Sequence, residues 1–223
     1  MSEPAEGRPI RVLLVDDDAL VCQGLELILS SAPDIEVVGS VDDGDRAVPA
    51  VQQHFPDVVL LDVRMQRLDG IAATGALRAL ANPPKVIVLT TFDADDVVMR
   101  AIGAGASGFL LKTAAATEII DAIRNVAGGN GALSPQSVRQ VFQQVQAGGD
   151  TGRRAARDAV ATLTDRELAV VRLVGEGLSN GQIAAQLYVG EATVKTHLTA
   201  AQQKLGVGNR VQVAVVASRA GLV

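Results

Sequence analysis

The chain has 223 residues, 48% of them hydrophobic and 20% charged, and a formal net charge of −5. That supplies apolar material for one large core or two modest ones, and with aromatics at only 2% any core must be aliphatic. The single cysteine, Cys22, excludes an internal disulfide framework and fits a reducing compartment.

The opening Met1-Ser-Glu-Pro-Ala-Glu-Gly-Arg8 is acidic, and no apolar stretch after it is long enough for a signal peptide or a membrane span. A cytoplasmic protein without a membrane partner is expected. From Thr162 onward six basic residues face four acidic ones, a balance of +2, while residues 1–161 carry −7. An acidic front and a mildly basic back suggest two jobs, the second beside an anionic partner.

Apolar runs at Ile10–Val15, Ile35–Val38, Val58–Leu61, Val86–Leu89 and Phe109–Leu111 read as strands covered on both faces. Between them lie helical patterns: Ala19–Leu29, with Leu20, Leu25, Leu27 and Ile28 on one apolar face, then Ile71–Leu80, Val97–Ile102 and Glu118–Val126. Five strand–helix units predict an α/β, flavodoxin-like, doubly wound five-stranded parallel sheet of order 2-1-3-4-5. Its crevice opens at the carboxyl ends of strands one and three.

Those two ends carry Asp16-Asp17-Asp18 and Asp62. Carboxylates gathered there repel one another, so a cation must sit among them, and Mg²⁺ suits hard oxygen donors that leave room for a phosphate oxygen. The next strand ends add the hydroxyl of Thr90 and the ammonium of Lys112. A nucleophilic carboxylate, metal-binding carboxylates, a hydroxyl and a lysine are the parts for phosphoryl transfer to an aspartate. Taken singly, Asp62 reads as a turn cap, Thr90 as a turn residue and Lys112 as a solvated charge. Taken together, they read as a site.

Val15-Asp16-Asp17, Asp62 with Met65 and Asp69-Gly70, Leu89-Thr90-Thr91, and Gly105-Ala-Ser-Gly108-Phe109-Leu-Leu-Lys112 resemble the receiver domain of two-component response regulators. The resemblance spans 9–128. It implies that Asp62 takes a phosphoryl group from a sensor histidine kinase, and that Asp16, Asp17, Asp62 and the Arg64 backbone carbonyl hold Mg²⁺. It further implies that Thr90 and Lys112 bind the phosphoryl oxygens and that Phe109 is an aromatic switch turning inward. Three departures stand out: Gln66 where the family usually has proline, which predicts a less rigid loop after Asp62; Thr113 after the lysine; and Asp18, expected to face solvent.

The stretch 129–160 reads as a linker. Gly128-Gly-Asn-Gly131 ends the last receiver helix, Pro135 to Gln146 has apolar residues at helical spacing, and Gly148 to Arg157 is expected to be flexible. Beyond it, Thr164-Asp-Arg-Glu167 is a capping box opening a helix with Leu168, Val171, Leu173 and Val174 inward. Ser179 to Gln182 opens a short second helix, and Glu191 to Leu205 is a third with Val194, Leu198, Ala201 and Leu205 in one stripe. Short helix, tight turn and longer cation-bearing helix describe an all-α helix-turn-helix domain, or else a small bundle for protein contact.

Leu163-Thr-Asp-Arg-Glu-Leu168, Gly177-Leu-Ser-Asn180, Glu191-Ala-Thr-Val-Lys195-Thr-His197 and Lys204-Leu-Gly-Val207 resemble the LuxR-type helix-turn-helix over 161–223. Joined to a receiver, the chain is similar to a NarL/FixJ-type response regulator. The resemblance implies double-stranded DNA as partner, with Lys195, Thr196 and Thr199 at base edges and Thr193 and His197 near the backbone or supporting the helix. It also implies a phosphorylation-dependent homodimer, with a last helix, Arg210 to Ala220, that offers Val211, Val213, Val215 and Val216 to a second copy.

Two rivals compete with this reading. One keeps the architecture but works without phosphorylation. The other is a haloacid dehalogenase-like aspartyl-phosphate phosphatase with Asp16 as nucleophile; it leaves Asp62 and the second domain unexplained, and no acidic pair follows Lys112 on a later strand.

Overall fold

The computed structural model describes residues 7–91, 95–133 and 150–223, which divide into two compact units. The first is a parallel sheet of six strands: β1 (Ile10–Val15), β2 (Ile35–Val41), β3 (Val58–Asp62), β4 (Lys85–Thr90), β5 (Gly108–Leu111) and β6 (Ala132–Leu133). Their order is β2-β1-β3-β4-β5-β6, so the five expected strands take the expected order. The short β6, which pairs Ala132 with Gly108 and Leu133 with Phe109, was not anticipated.

Helices α1 (Ala19–Leu29), α2 (Ala47–His54), α3 (Gly70–Arg78), α4 (Asp95–Ala104) and α5 (Ala116–Ala127) cover the sheet. Alternation along each strand sends Val12, Leu14, Val58, Leu60, Ile87 and Leu89 into one core with Leu25 and Leu29 of α1 and Ile123 and Val126 of α5. Leu13, Val59, Leu61 and Val88 are equally buried on the other face. Truncating one such side chain, as in Leu60→Ala, costs roughly 2–5 kcal/mol.

On α1 the inward face is Cys22, Leu25 and Leu29, while Leu20 and Leu27 are each 76% exposed. This corrects the apolar face expected above. Asp18 caps α1, accepting from the Leu20 N–H at 2.9 Å, and faces solvent as expected.

The second unit is all helical: α6 (Asp150–Val160), α7 (Asp165–Gly175), α8 (Asn180–Leu187), α9 (Glu191–Leu205) and α10 (Arg210–Ala220). The helical pattern at Pro135–Gln146 lies outside the described residues. Part of the stretch expected to be flexible is instead α6, which packs on α10 and buries Ala156. Thr164 forms the expected capping box with Glu167, and Ser179 forms a second one with Gln182 where a helix start was expected. Val170, Val171, Val174, Ile183, Val194, Leu198, Ala201, Val213 and Ala217 make one aliphatic core.

Two polar contacts link the helices around that core. Glu167 of α7, 6% exposed, takes Lys204 of α9 at 2.7 Å. Arg210, buried at the start of α10, donates to Asn180 Oδ1 at 2.8 Å and to the Leu178 carbonyl, and burial lowers it to about 10. Val211, Val213 and Val215 are buried inside the unit, so they are not the open surface the sequence suggested for α10.

Candidate functional site

The crevice at the carboxyl ends of β1 and β3 brings together Asp16, Asp17, Asp62 and Lys112. Asp16 follows β1, Asp62 ends β3, and Lys112 follows β5, held in place by its own N–H on the Thr90 carbonyl at 2.7 Å. Lys112 Nζ lies 2.7 Å from Asp16 Oδ2 and 3.2 Å from Asp62 Oδ2. Asp16 and Asp62 are 3% and 5% exposed, whereas Asp17 faces solvent at the rim. Thr90 ends β4 beside them and is buried. Phe109 of β5 is in the interior, 1% exposed, and Arg64 is exposed on the loop after β3.

Asp16 is aimed by the chain itself, since its Oδ1 accepts from the Asp18 N–H at 3.0 Å. Its other oxygen faces Lys112 as an ion pair yet makes no hydrogen bond of ordinary geometry, although it is fully buried. Oxygens of Asp16, Asp17 and Asp62 all lie within 4.8 Å of one another. A hard cation fits that donor set, because it would satisfy the orphaned oxygen and offset three like charges.

Burial pushes the Asp62 carboxyl up; Lys112 opposes this and Asp16 adds to it, and the net direction is upward. Burial pulls the Lys112 ammonium down, but the close contact with Asp16 and the charges of Asp62 and Asp16 outweigh it and hold Lys112 above its ordinary value. Lys112 is therefore held in its charged form by the two carboxylates, while burial works against the charge on Asp62. Removing one changes all.

The loop from Val63 to Asp69 is tied at both ends. The Val63 N–H donates to the Leu89 carbonyl at 3.1 Å, and the Gly70 N–H closes back on Val63 at 2.9 Å. Gly70 is required, since a Cβ there would sit 2.0 Å from the Asp62 carbonyl oxygen. The middle is held by a residue that sequence reasoning missed: buried Asp43 accepts from the backbone N–H groups of Arg67 and Leu68, each at 2.9 Å. Burial opposes ionisation of Asp43, but those amides and Arg67 bring it down to about 2. Gln66 thus stands in a loop anchored at three places.

In the second unit Thr193, Thr196 and Thr199 are exposed on α9, with Lys195 and His197 half-buried. The Thr196 hydroxyl donates to the Ala192 carbonyl at 2.9 Å. Gly190, the N-cap of α9, brings no side chain to the first N–H groups. The α8–α9 turn is made by Tyr188 in the left-handed region (φ 55°), 95% exposed. Among the described residues no helix is long and apolar enough to cross a membrane.

Residues 12–124 match the family described as response regulator receiver domain, and residues 161–217 the family described as bacterial regulatory proteins, luxR family. The chain is 41% identical over 214 residues to the transcriptional regulatory protein LiaR of Bacillus subtilis, covering 96% of this chain and 99% of that protein. It is 36% identical over 219 residues to the probable transcriptional regulatory protein NarL of Mycobacterium tuberculosis, covering 98% of each. Among solved structures, the response regulator ChrA of a heme-sensing two-component system aligns with a TM-score of 0.53 at 37% identity, over 96% of this chain and 99% of that one.

Proposed function

The chain belongs to the NarL/FixJ-type response regulators, two-component transcriptional regulators with a receiver domain and a LuxR-type helix-turn-helix, and from that premise we propose that Asp62 is its phosphoacceptor. The observation that carries this is the convergence of Asp16 and Asp62, from separate strands, on the one ammonium of Lys112. Asp62 is fixed by the sheet behind it and sits at a crevice edge.

In the transfer, an Asp62 carboxylate oxygen bonds to the phosphorus of a kinase phosphohistidine, the P–N bond breaks, and the imidazole keeps the electron pair and takes a proton. Receiver domains use Mg²⁺ at such an acidic site; here Asp16, Asp17, Asp62 and the Arg64 carbonyl would hold it, and its charge would be shared with the phosphoryl oxygens. Lys112 and the Thr90 hydroxyl serve the remaining phosphoryl oxygens. The chain so takes part in its own phosphorylation and dephosphorylation, with no other substrate.

The phosphoryl group adds about −1.5 to −2 charges beside Lys112, which directly follows the strand that carries Phe109. Thr90 and Phe109 form the two-state element that this charge biases, and its shift favours pairing of two copies and promoter binding. The receiver domain is 9–128 and the DNA-binding domain 161–223, with the stretch 129–160 between them lending β6 to the sheet and α6 to the helical unit. The partners are a sensor histidine kinase and double-stranded DNA, and the protein works in the cytoplasm. On α9, Lys195, Thr196 and Thr199 face base edges, with Thr193 and His197 at the backbone.

The test is incubation with acetyl phosphate and Mg²⁺, followed by mapping of the phosphopeptide and promoter binding with and without donor. Wild type acquires one phosphoryl group at Asp62 and binds more tightly. Equal labelling of Asp62→Ala overturns the assignment.

A further inference from the structure

We propose that Asp43 is a positioning residue for the cation and phosphoryl site, setting the path of the loop that presents the Arg64 carbonyl. The proposal rests on the reading of Asp62 and Arg64 given above. Asp43 follows β2, on a strand that supplies no group to the crevice, and its carboxylate is turned inward with 2% of the residue exposed.

Both of its oxygens are used, and both on the same loop. Oδ2 accepts from the Arg67 N–H and Oδ1 from the Leu68 N–H, each at 2.9 Å. A carboxylate that accepts two consecutive amides fixes the orientation of the peptide planes between them. A carbonyl three residues earlier, tied at its other side by Val63, then has little freedom.

The neighbouring geometry supports a fixed path. Gly44 is so close to the loop that a Cβ would stand 2.3 Å from the Leu68 carbonyl oxygen. The Arg67 side chain folds back over the same turn, with Nε 3.5 Å from Asp43 and 3.3 Å from Asp45, and Nη2 3.6 Å from Asp42. The loop is thus clamped through its backbone by Asp43 and through a side chain by the acids around it. A metal ligand supplied by backbone has no rotamer of its own to adjust, so its aim depends on what holds the loop.

A purely structural role predicts that losing Asp43 lowers stability and nothing more. Asp57 supplies the control. It is a carboxylate of similar duty at the opposite end of β3, accepting from the Arg8 guanidinium at 3.0 and 2.8 Å and from the Arg11 N–H at 3.0 Å. It is far from the crevice.

The experiment is calorimetric titration of MgCl₂ into the full-length protein for wild type, Asp43→Asn, Asp43→Ala and Asp57→Asn, with thermal midpoints measured beside it. Asp43→Ala weakens Mg²⁺ binding by about ten-fold or more, the scale on which losing an outer partner of a ligand set is felt. Asp43→Asn, with one acceptor oxygen left, falls between. Asp57→Asn lowers the midpoint while Mg²⁺ binding stays at the wild-type value. If Asp43→Ala binds Mg²⁺ as Asp57→Asn does, the positioning role is wrong. Should wild type itself show no Mg²⁺ binding, the reading of Asp62 and Arg64 falls, and this proposal with it.

Discussion

The receiver crevice and the exposed face of α9 both meet a ligand that carries phosphate in the proposed function, yet they are built in opposite ways. In the crevice two carboxylates and an ammonium are taken out of water, with Asp16 at 3% and Asp62 at 5% exposure. On α9 the three threonines stay in contact with solvent. Buried charges depend on one another, because each would be costly alone. Exposed groups exchange water for a ligand one at a time, so each matters a little. The first design makes a switch that fails as a whole, and the second a grip that weakens by degrees.

The largest effect that tests this contrast is chemical. Asp62→Asn abolishes labelling by acetyl phosphate, leaving only background on a phosphoprotein gel, while DNA binding without donor stays at its unphosphorylated level. Next in size is Lys112→Ala. It leaves Asp16 and Asp62 buried without their cation, which destabilises the receiver by roughly 3–5 kcal/mol in metal-free urea titrations. Added Mg²⁺ recovers part of that loss, because it restores positive charge to the same oxygens. A loss below 1 kcal/mol would show that the crevice is better hydrated than its burial indicates, and the contrast with α9 would shrink.

Acid separates the regions further. Glu167 in the second unit is brought from the ordinary 4.5 down to about 2, first by Lys204 and then by the Thr164 N–H. A carboxyl lowered in the folded state adds stability above its unfolded value and loses it as pH falls through the folded one. The melting midpoint of the helical unit therefore drops between pH 4.5 and about 2, and Glu167→Gln removes that part of the slope. A slope unchanged in the variant would mean that the pair with Lys204 contributes nothing to folding.

How much of this was legible in the sequence follows the same divide between local and distant causes. The strand runs are unbroken because both faces of the sheet are covered, so Val58–Leu61 announced itself. The capping boxes at Thr164 and Ser179 are written within four residues, and α9 spans the expected Glu191 to Leu205. On α1 most positions are apolar, so periodicity had little polar face to contrast with, and it chose Leu20 and Leu27 over Leu29. The arginines and Gly152 of α6 resemble a solvated loop, and it is packing on α10 that makes them a helix.

The crevice residues could be named because each stands at a strand end. Asp43 could not. Its partners are backbone amides 24 and 25 residues away, which leave no trace in side-chain type. The only local sign was the Asp43-Gly44 pair after a strand, which is common to turns of every kind. Lys204 escaped for the same reason: its partner Glu167 read as a complete local cap, with no sign of a second bond 37 residues distant.

On α9 the expected losses are smaller and graded. Lys195→Ala costs roughly 1–3 kcal/mol of operator affinity if its ammonium meets a base edge, read by gel shift at fixed salt. A loss that is instead uniform over unrelated sequences would move Lys195 to the phosphate backbone.

The smallest effect is the most discriminating. The Thr196 hydroxyl is already spent on the Ala192 carbonyl at 2.9 Å, so what the residue has left to offer is a methyl group and an acceptor. A methyl on a major-groove helix finds its match in the C5-methyl of thymine. Thr196→Val keeps that methyl and removes only an internally satisfied hydroxyl, so affinity stays within about two-fold, or 0.4 kcal/mol. Thr196→Ser keeps the hydroxyl and removes the methyl; it loses about 0.8 kcal/mol, close to four-fold. Replacing the contacted thymine by uracil should cost wild type and Thr196→Val the same factor and cost Thr196→Ser nothing. If Thr196→Val is the weaker variant instead, the hydroxyl leaves Ala192 on binding and donates to the DNA, and α9 would resemble the crevice in having polar groups committed to its ligand.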